Sequence, residues 1–267
     1  MQAPDLNEIA LDDITLRYGR FGDPRGSKLL FLHGLGLDLR VWQTVLPRLP
    51  QTLDIITLDL RGHGGSSAPP APYAMGALIR DIEPLMQQLD LRDAVLVGHG
   101  LGGLVAQGLA VKRLDLVRGL VLTGTAAKLG MPPHWQAHIH KVQTRGLAAM
   151  AGNICAPWTN PRAKDPDWLD LWHARVQQQP QQGYLGCVAA LSGTDFYTPT
   201  SSLRLPVLGL IGSEDRVTPP DLQRETVDLV PGSRAQLIRR AGHLAWLDQP
   251  DAFATHLTQF LTDIGQS

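Results

Sequence analysis

Short runs of apolar residues alternate along the chain with longer segments in which apolar residues recur at helical spacing. Runs of this length without polar alternation are typical of strands buried on both faces. The runs are Leu29–Leu32, Ile55–Leu58, Ala94–Val97, Gly119–Leu122 and Val207–Ile211, and Ala235–Ile238 is interpreted as a sixth strand. Strands that alternate with helices predict an α/β fold, with a mainly parallel sheet and helices on both of its faces. Ligands of such sheets bind beyond the carboxyl ends of the strands.

The helical segments are amphipathic or uniformly small. Apolar residues recur at helical spacing from Met75 to Leu89, which predicts a helix there. Pro84 lies inside this pattern and is expected to kink the helix or end it early, because proline lacks the backbone N–H. The small apolar residues between Leu101 and Val111 suit a helix packed closely under the sheet.

One long stretch, residues 129–203, contains no convincing strand. We interpret it as a helical cap inserted into a core formed by residues 1–128 and 204–267. Aromatic enrichment favours a cap that roofs a pocket over ordinary helices on the outside of the sheet. Four of the six tryptophans lie in this stretch: Trp135, Trp158, Trp168 and Trp172.

Composition and charge narrow the class of protein. The chain has 267 residues, 43% hydrophobic and 18% charged, as expected for one large globular domain. A net charge of −1 gives no reason to expect a nucleic-acid or anionic membrane partner. The apolar runs are too short to span a bilayer, and residues 1–10 do not resemble a signal peptide. Cys155 and Cys187 suggest neither a disulfide framework nor a zinc site, so we expect a cytoplasmic protein without a metal or organic cofactor.

Two candidate motifs follow the first two strands. His33-Gly34-Leu35-Gly36 is a glycine-rich turn that would let the backbone N–H of Leu35 point into a pocket. The segment 59–64, with the sequence Asp-Leu-Arg-Gly-His-Gly, follows the second strand. We interpret it as a structural turn held by a pair between Asp59 and Arg61.

The third motif, at positions 96–103, has the sequence Leu-Val-Gly-His-Gly-Leu-Gly-Gly. It predicts a buried strand, a sharp turn with Gly100 at its apex, and a helix. The apex residue of such a turn needs a positive φ and small neighbours. The flanking glycines meet that need: Gly98, Gly102 and Gly103. The N–H of Leu101 would lie at the helix N-terminus, where aligned peptide dipoles favour negative charge, and with Leu35 it would form an oxyanion hole.

The last motif is split between two strand ends. Asp215 follows the fifth strand and is well placed to hold a histidine in its reactive tautomer, with Glu214 as its neighbour. His243 lies after the sixth strand and before the last helix. The chain order of apex residue, acid and histidine is that of a hydrolase triad. His99, beside the apex, is expected to pack or form hydrogen bonds locally.

With these motifs in place, the chain resembles the α/β-hydrolase superfamily over its full length, and more narrowly the 3-oxoadipate enol-lactonase group. The narrower resemblance is carried by residues 31–36 with Trp42, by 61–64 with the Ser-Ala-Pro that follows at 67–69, and by 194–196. The segment 125–130, Thr-Ala-Ala-Lys-Leu-Gly, together with Trp135 is the part most specific to the group.

The resemblance implies ring opening of a small enol-lactone formed during aromatic degradation. A serine would attack the carbonyl, His243 would act as the base, Asp215 would orient it, and the N–H groups of Leu35 and Leu101 would hold the oxyanion. The cap would supply a cation for the substrate carboxylate, with Lys128, Arg145 and Arg175 as candidates. The expected substrate pocket contains four residues: Gly34, His99, Trp135 and Lys128.

The nucleophile does not carry over, because position 100 is glycine where the superfamily has G-x-S-x-G. Three explanations of Gly100 stay open. The first is an engineered removal of the serine from a working lactonase or esterase. The second is a natural serine-independent enzyme in which His243 is the general base for water activation, proton transfer or C–C cleavage. The third is a non-catalytic protein that keeps only ligand binding.

We therefore expect a hydrolase of a small lactone or carboxylic ester that is inactive or nearly so with Gly100 at the apex. Its only expected partner is a small-molecule substrate. An exposed apolar surface on the cap could also make the protein a homodimer.

Overall fold

The described part of the chain is organised around one eight-stranded sheet. The computed structural model describes residues 6–160 and 166–266, and within them eight strands form one sheet in the order β1-β2-β4-β3-β5-β6-β7-β8. The strands are β1 (Leu6–Ala10), β2 (Thr15–Gly22), β3 (Lys28–Leu32), β4 (Asp54–Leu58), β5 (Ala94–His99), β6 (Val117–Thr123), β7 (Val207–Gly212) and β8 (Arg234–Ile238). From β4 to β8 all neighbours in the sheet are parallel. The six strands expected from apolar runs are confirmed.

The hairpin of β1 and β2 was not expected from the pattern. Both strands pair antiparallel, β1 with β2 and β2 with β4. Only Ile9 is buried in β1, and β2 buries Leu16 and Gly19 among half-exposed residues. An edge hairpin with so few buried side chains leaves almost no apolar run to detect.

Ten α-helices and two short 3₁₀ helices, Leu39–Thr44 and Leu46–Arg48, connect and cover the strands in the described part of the chain, and the α-helices are numbered in chain order. They are α1 (Met75–Gln88), α2 (Leu101–Lys112), α3 (Pro132–Arg145), α4 (Leu147–Cys155), α5 (Pro166–Gln178), α6 (Gln181–Ser192), α7 (Tyr197–Ser201), α8 (Pro220–Asp228), α9 (Ala245–Asp248) and α10 (Pro250–Asp263). No helix among the described residues is long and apolar enough to cross a membrane.

Helix α1 continues past Pro84, so the expectation of an early end is wrong. The helix runs on to Gln88 and buries Leu85 and Met86 completely. Burying two such side chains contributes about 3–6 kcal/mol. That gain offsets the roughly 3 kcal/mol that an internal proline costs.

Side chains on successive positions of each strand enter opposite apolar layers, as the two-residue period requires. Leu30 and Leu32 of β3 pack in the layer that contains α1 and α2. Leu29 and Phe31 pack in the layer that contains Trp42 and α10. Helices on both faces of the sheet bury its central strands, which explains why those strands have no polar alternation.

The segment between β6 and β7 consists of helices and connecting turns where the structure describes it. Helices α3 to α7 occupy it, and no strand lies between Leu129 and Leu203 among the described residues. Its last part packs on the core: the hydroxyl of Thr200 in α7 donates to the side-chain oxygen of Gln107 in α2, at 2.8 Å. Helix α7 therefore lies against α2 of the core.

The turn after β4 is held by two ion pairs, not by the pair within it that the sequence suggested. Asp59 is fully buried and pairs with Arg17 of β2 at 2.6 Å. Arg61 instead forms a buried bidentate pair with Asp81 of α1. Each charge therefore binds a partner on a neighbouring element, which ties this turn to both.

Candidate active site

Gly100 occupies a tight turn between β5 and α2, with φ of 53° and ψ of −115°. A left-handed φ is readily adopted by glycine but costs other residues roughly 1–2 kcal/mol. A Cβ built on Gly100 would lie 3.5 Å from the Cα of Gly34 and 3.8 Å from the carbonyl oxygen of Gly124, ordinary contact distances. The turn therefore has the backbone conformation of a nucleophile elbow and has room for a small side chain at its apex.

The glycines around the apex are required by close packing. A Cβ at Gly98 would lie 2.6 Å from the Cα of Gly103, and one at Gly102 would lie 2.3 Å from the carbonyl oxygen of Leu32. The turn is also fixed by hydrogen bonds, because the Thr125 hydroxyl donates to the Gly100 carbonyl oxygen at 2.7 Å. The elbow is therefore rigid on both sides of its apex.

Two backbone N–H groups beside the apex have no acceptor among the described residues. They belong to Leu35 and Leu101, and both residues line the same cavity as Gly100. Leu101 is the first residue of α2, so its N–H has no partner within the helix. Two free donors and a helix N-terminus at one point can stabilise a developing oxyanion.

Two buried histidines hold the turn that presents Leu35. His33 Nδ1 donates to the Gly34 carbonyl oxygen at 2.8 Å, and its Nε2 accepts the N–H of Leu60 at 3.0 Å. His63 Nε2 accepts the N–H of Gly36, also at 3.0 Å. Each ring must be neutral to accept a bond at Nε2. Burial agrees, because desolvation lowers the pKa of His33 to about 4 and that of His63 to about 3.

These two histidines are expected to make the protein acid-sensitive. In the unfolded chain each would have a pKa near 6.5. Since the folded pKa values are lower, each contribution to stability is complete above about pH 6.5 and is lost as the pH falls toward 4 for His33 and toward 3 for His63. Between pH 6 and 4, each histidine should lower the free energy of unfolding by about 1.4 kcal/mol for each pH unit of acidification. Urea unfolding across this range measures the slope, and His63→Gln should flatten it by about one proton; an unchanged slope would contradict this assignment.

Asp215 and His243 form a buried pair beside the apex. The Nδ1 atom of His243 lies 2.9 Å from one carboxylate oxygen of Asp215. The other oxygen accepts the N–H groups of Val217 and Thr218 at 2.8 and 2.9 Å. With Nδ1 engaged as a donor, Nε2 is the ring atom left to accept a proton, and His243 lines the cavity with Gly100. Among the described residues, the carboxylate bound to His243 is that of Asp215 and not that of its neighbour Glu214.

Gln223 of α8 completes this arrangement and was not expected from the sequence. Its side-chain N–H group donates to Asp215 Oδ2 at 2.9 Å, and its oxygen accepts the N–H of Gly124 at 2.8 Å. It therefore joins the acid to the strand end that borders the cavity. A glutamine eight positions after an aspartate carries no motif, so only the fold brings it to the site.

Gln223→Leu should destabilise the protein and loosen the acid. A buried carboxylate and a buried N–H would each lose a partner, at about 1–3 kcal/mol apiece. Urea unfolding measures this loss. Thr226→Val is the matched control, since Thr226 of the same helix accepts the N–H of Ala127 at 2.8 Å outside the site. In the Gly100→Ser variant, Gln223→Leu should lower kcat for ester hydrolysis while Thr226→Val should not. Equal effects of the two substitutions on kcat would contradict a positioning role for Gln223.

His99 is wedged under the apex. It is buried, its ring lies edge-on to that of His243 with centroids 4.4 Å apart, and it contacts Trp246 at 4.8 Å. Packing and local hydrogen bonding were both expected for His99, and the structure shows packing: neither ring nitrogen has a hydrogen-bond partner among the described residues. Its pKa is held well below 6.5 by burial first and by the nearby histidines second. His99 is therefore a neutral packing support for His243.

These groups meet in a cavity of about 370 Å³ beyond the carboxyl ends of the strands. The cap roofs it with Trp135, His138, Trp158 and Tyr184. The expected site residues His99, Trp135, Leu35, Leu101 and His243 all line it, while Asp215 lies behind His243. Gly34 was also expected in the pocket but does not line the cavity, because it packs against the apex, with its Cα 3.5 Å from a Cβ built on Gly100.

Lys128 does not line the cavity, contrary to the expectation. Its ammonium group pairs with Asp195 at 3.0 Å. Arg175 stacks over the ring of Trp172, and Arg145 is exposed at the end of α3. Each candidate cation is thus engaged or solvated elsewhere, because a lysine or arginine at a surface finds acids, rings and water more readily than a buried cleft. No group of histidine, cysteine or acidic residues in the described part of the chain is arranged to hold a metal ion.

Comparison with known proteins agrees with this geometry. The profile of the alpha/beta hydrolase family matches residues 29–256. The chain is 29% identical over 247 residues to 3-oxoadipate enol-lactonase 2 of Acinetobacter baylyi, covering 92% of each chain. It is 25% identical to the pimeloyl-acyl-carrier-protein methyl ester esterase of Vibrio vulnificus, over 88% of this chain and 94% of that one. The crystal structure of the enol-lactonase from Burkholderia xenovorans superposes with a TM-score of 0.91 at 26% identity, covering 96% of this chain and all of that one. The chain belongs to the alpha/beta hydrolase family.

Proposed function

We propose that this protein is an ester or lactone hydrolase in which Gly100 stands in place of the nucleophilic serine, so that it binds its substrate but turns it over slowly or not at all. One observation carries the proposal. The Asp215–His243 pair, two free N–H groups and an elbow with room for a side chain surround one cavity. Each part serves acyl transfer, and only the nucleophile is absent from the sequence.

The chemistry of the serine-containing site follows from this geometry. A hydroxyl on the apex residue would attack the ester carbonyl while His243 Nε2 takes its proton. The carbonyl oxygen would become an oxyanion held by the N–H groups of Leu35 and Leu101. The protonated His243 would then donate its proton to the leaving oxygen as the C–O bond breaks, and water would hydrolyse the acyl-enzyme by the reverse route. Asp215 keeps Nδ1 protonated throughout and stabilises the imidazolium.

A second candidate is a serine-independent reaction. The observation that favours it is the intact pair of Asp215 and His243 at 2.9 Å, which mere binding would not need. Here His243 would be the general base for a water molecule that attacks the same carbonyl. Binding and an oxyanion hole alone leave an acceleration of roughly 10³ to 10⁴ over water when a triad member is lost.

One comparison tests the proposal. The glycine protein and its Gly100→Ser variant are mixed with an enol-lactone and with a panel of short 4-nitrophenyl esters, and product release is followed. Activity that is confined to the serine variant supports the first candidate. Activity of the glycine protein that depends on His243 supports the second, and silence of both proteins contradicts each of them.

A further inference from the structure

The cavity contains polar side chains, but no side chain with a fixed charge among the residues that the structure describes. Of the described residues that line it, none is aspartate, glutamate, lysine or arginine. Its polar members include His138, Tyr184, Asn153 and Thr218. Burial lowers the pKa of His138 and raises that of Tyr184, so both are uncharged near neutral pH. They also bond to each other, with His138 Nε2 2.9 Å from the Tyr184 hydroxyl.

The two tryptophans of the lining offer flat apolar surface. Trp158 is 5% exposed and Trp135 is half-buried with its N–H bound to the Leu129 carbonyl oxygen. The rim continues this character, since Val217 is 44% exposed and Met131, next to the lining residue Gly130, is 58% exposed. Apolar and aromatic groups would thus be covered on entering the cavity.

We infer that this cavity takes an uncharged acyl compound, a neutral ester or lactone with an apolar or aromatic acyl group, and discriminates against one that carries a carboxylate. The inference rests on the proposed function and names its substrate class. It departs from the cation that resemblance to the enol-lactonase group implies, because Lys128 pairs with Asp195 and Arg175 lies on Trp172. A carboxylate on the acyl group, placed away from the free N–H groups of Leu35 and Leu101, would lose its hydration without meeting a fixed positive charge in the described lining.

Binding to the protein as it stands tests this inference without catalysis. The ligands are phenylacetamide and phenylacetate, which have nearly the same shape and differ by one charge. Calorimetry at pH 8 measures both affinities, and at this pH a histidine with the usual pKa near 6.5 is neutral. We expect the amide to bind at least about tenfold more tightly. Equal affinities, tighter binding of the carboxylate, or no binding of the amide up to its solubility limit would overturn the inference.

Variants locate the effect. Asn153→Lys places an ammonium group in the lining and should raise the affinity for phenylacetate severalfold relative to that for phenylacetamide. Lys128→Gln, Arg145→Gln and Arg175→Gln should change neither affinity. The cations Arg162 and Lys164 lie outside the described residues, and their double replacement by glutamine should also have no effect. Loss of phenylacetate binding in any charge-removing variant would identify a carboxylate site and overturn the inference.

The same proteins separate this inference from the proposed function. Gly100→Ser is assayed with 4-nitrophenyl butyrate, which is neutral. If the serine variant hydrolyses this ester but the protein binds phenylacetate more tightly than phenylacetamide, the proposed function stands and the inference is overturned. If the protein binds phenylacetamide tightly but the serine variant hydrolyses nothing, the inference stands and the proposed function is contradicted.

Discussion

Gly100→Ser should raise kcat/KM for a neutral short ester by about 10³-fold or more. The reason is that nucleophile, base and oxyanion donors act as a unit, and removing the nucleophile from such a unit costs between roughly 10³ and 10⁶. Every other member of the unit is in place around Gly100: the pair of His243 and Asp215, and the free N–H groups of Leu35 and Leu101. Steady-state hydrolysis of 4-nitrophenyl butyrate measures the gain.

The serine should fit, at a modest cost in stability. Its Cβ would lie 3.5 Å from the Cα of Gly34, an ordinary contact, so only the left-handed φ of 53° is unfavourable. We expect the free energy of unfolding to fall by about 1–2 kcal/mol. Gly100→Ala is the matched control: it should lose the same stability and gain no activity. A serine variant that folds, binds the neutral ligand and still hydrolyses nothing would contradict the hydrolase proposal.

The parts of the fold that the sequence predicts are those that bury continuous apolar surface. The six core strands were predictable because each contains a short apolar run, and the runs of β3, β4, β5, β6 and β7 are buried throughout. The hairpin of β1 and β2 was not, since a half-exposed edge pair buries only a few side chains. Pro84 shows the same balance within a helix, where burial of Leu85 and Met86 outweighs a local breaker.

The candidate site divides in the same way. Backbone requirements were readable, because Gly98, Gly102 and Gly103 are demanded by distances below 3 Å that only glycine tolerates. Side-chain partners that come from elements distant in sequence could not be predicted. Gln223 reaches Asp215 from a helix, and Asp59 prefers Arg17 over the arginine two positions away.

The cap is the part least fixed by sequence pattern. Its long charged side chains can turn to the cavity, to solvent or to one another at small differences in energy. Lys128 illustrates this, since it is adjacent in sequence to the lining residue Leu129 and yet pairs with Asp195. The charge of the preferred substrate was therefore inferred from the residues that line the cavity, and not from the composition of the cap.

His243→Ala in the Gly100→Ser background should abolish the gain and return kcat/KM to the level of the glycine protein. A serine hydroxyl is a weak nucleophile unless a base removes its proton, and no other imidazole with a bound carboxylate lies at the cavity among the described residues. The expected loss is about 10³-fold or more. His256→Ala, on α10 and away from the cavity, is the control and should leave kcat/KM unchanged.

The same substitution in the glycine protein decides between the two reactions. If the chain is a hydrolase without its nucleophile, His243→Ala should change the residual rate by less than about twofold, because removing a second member of the unit costs little once the first is gone. If His243 instead activates water, the residual rate should fall by about 10²-fold or more, the range of general base catalysis. The ratio of the two losses, in the serine and glycine backgrounds, is therefore a direct measure of whether His243 serves a hydroxyl at position 100 or a water molecule beside it.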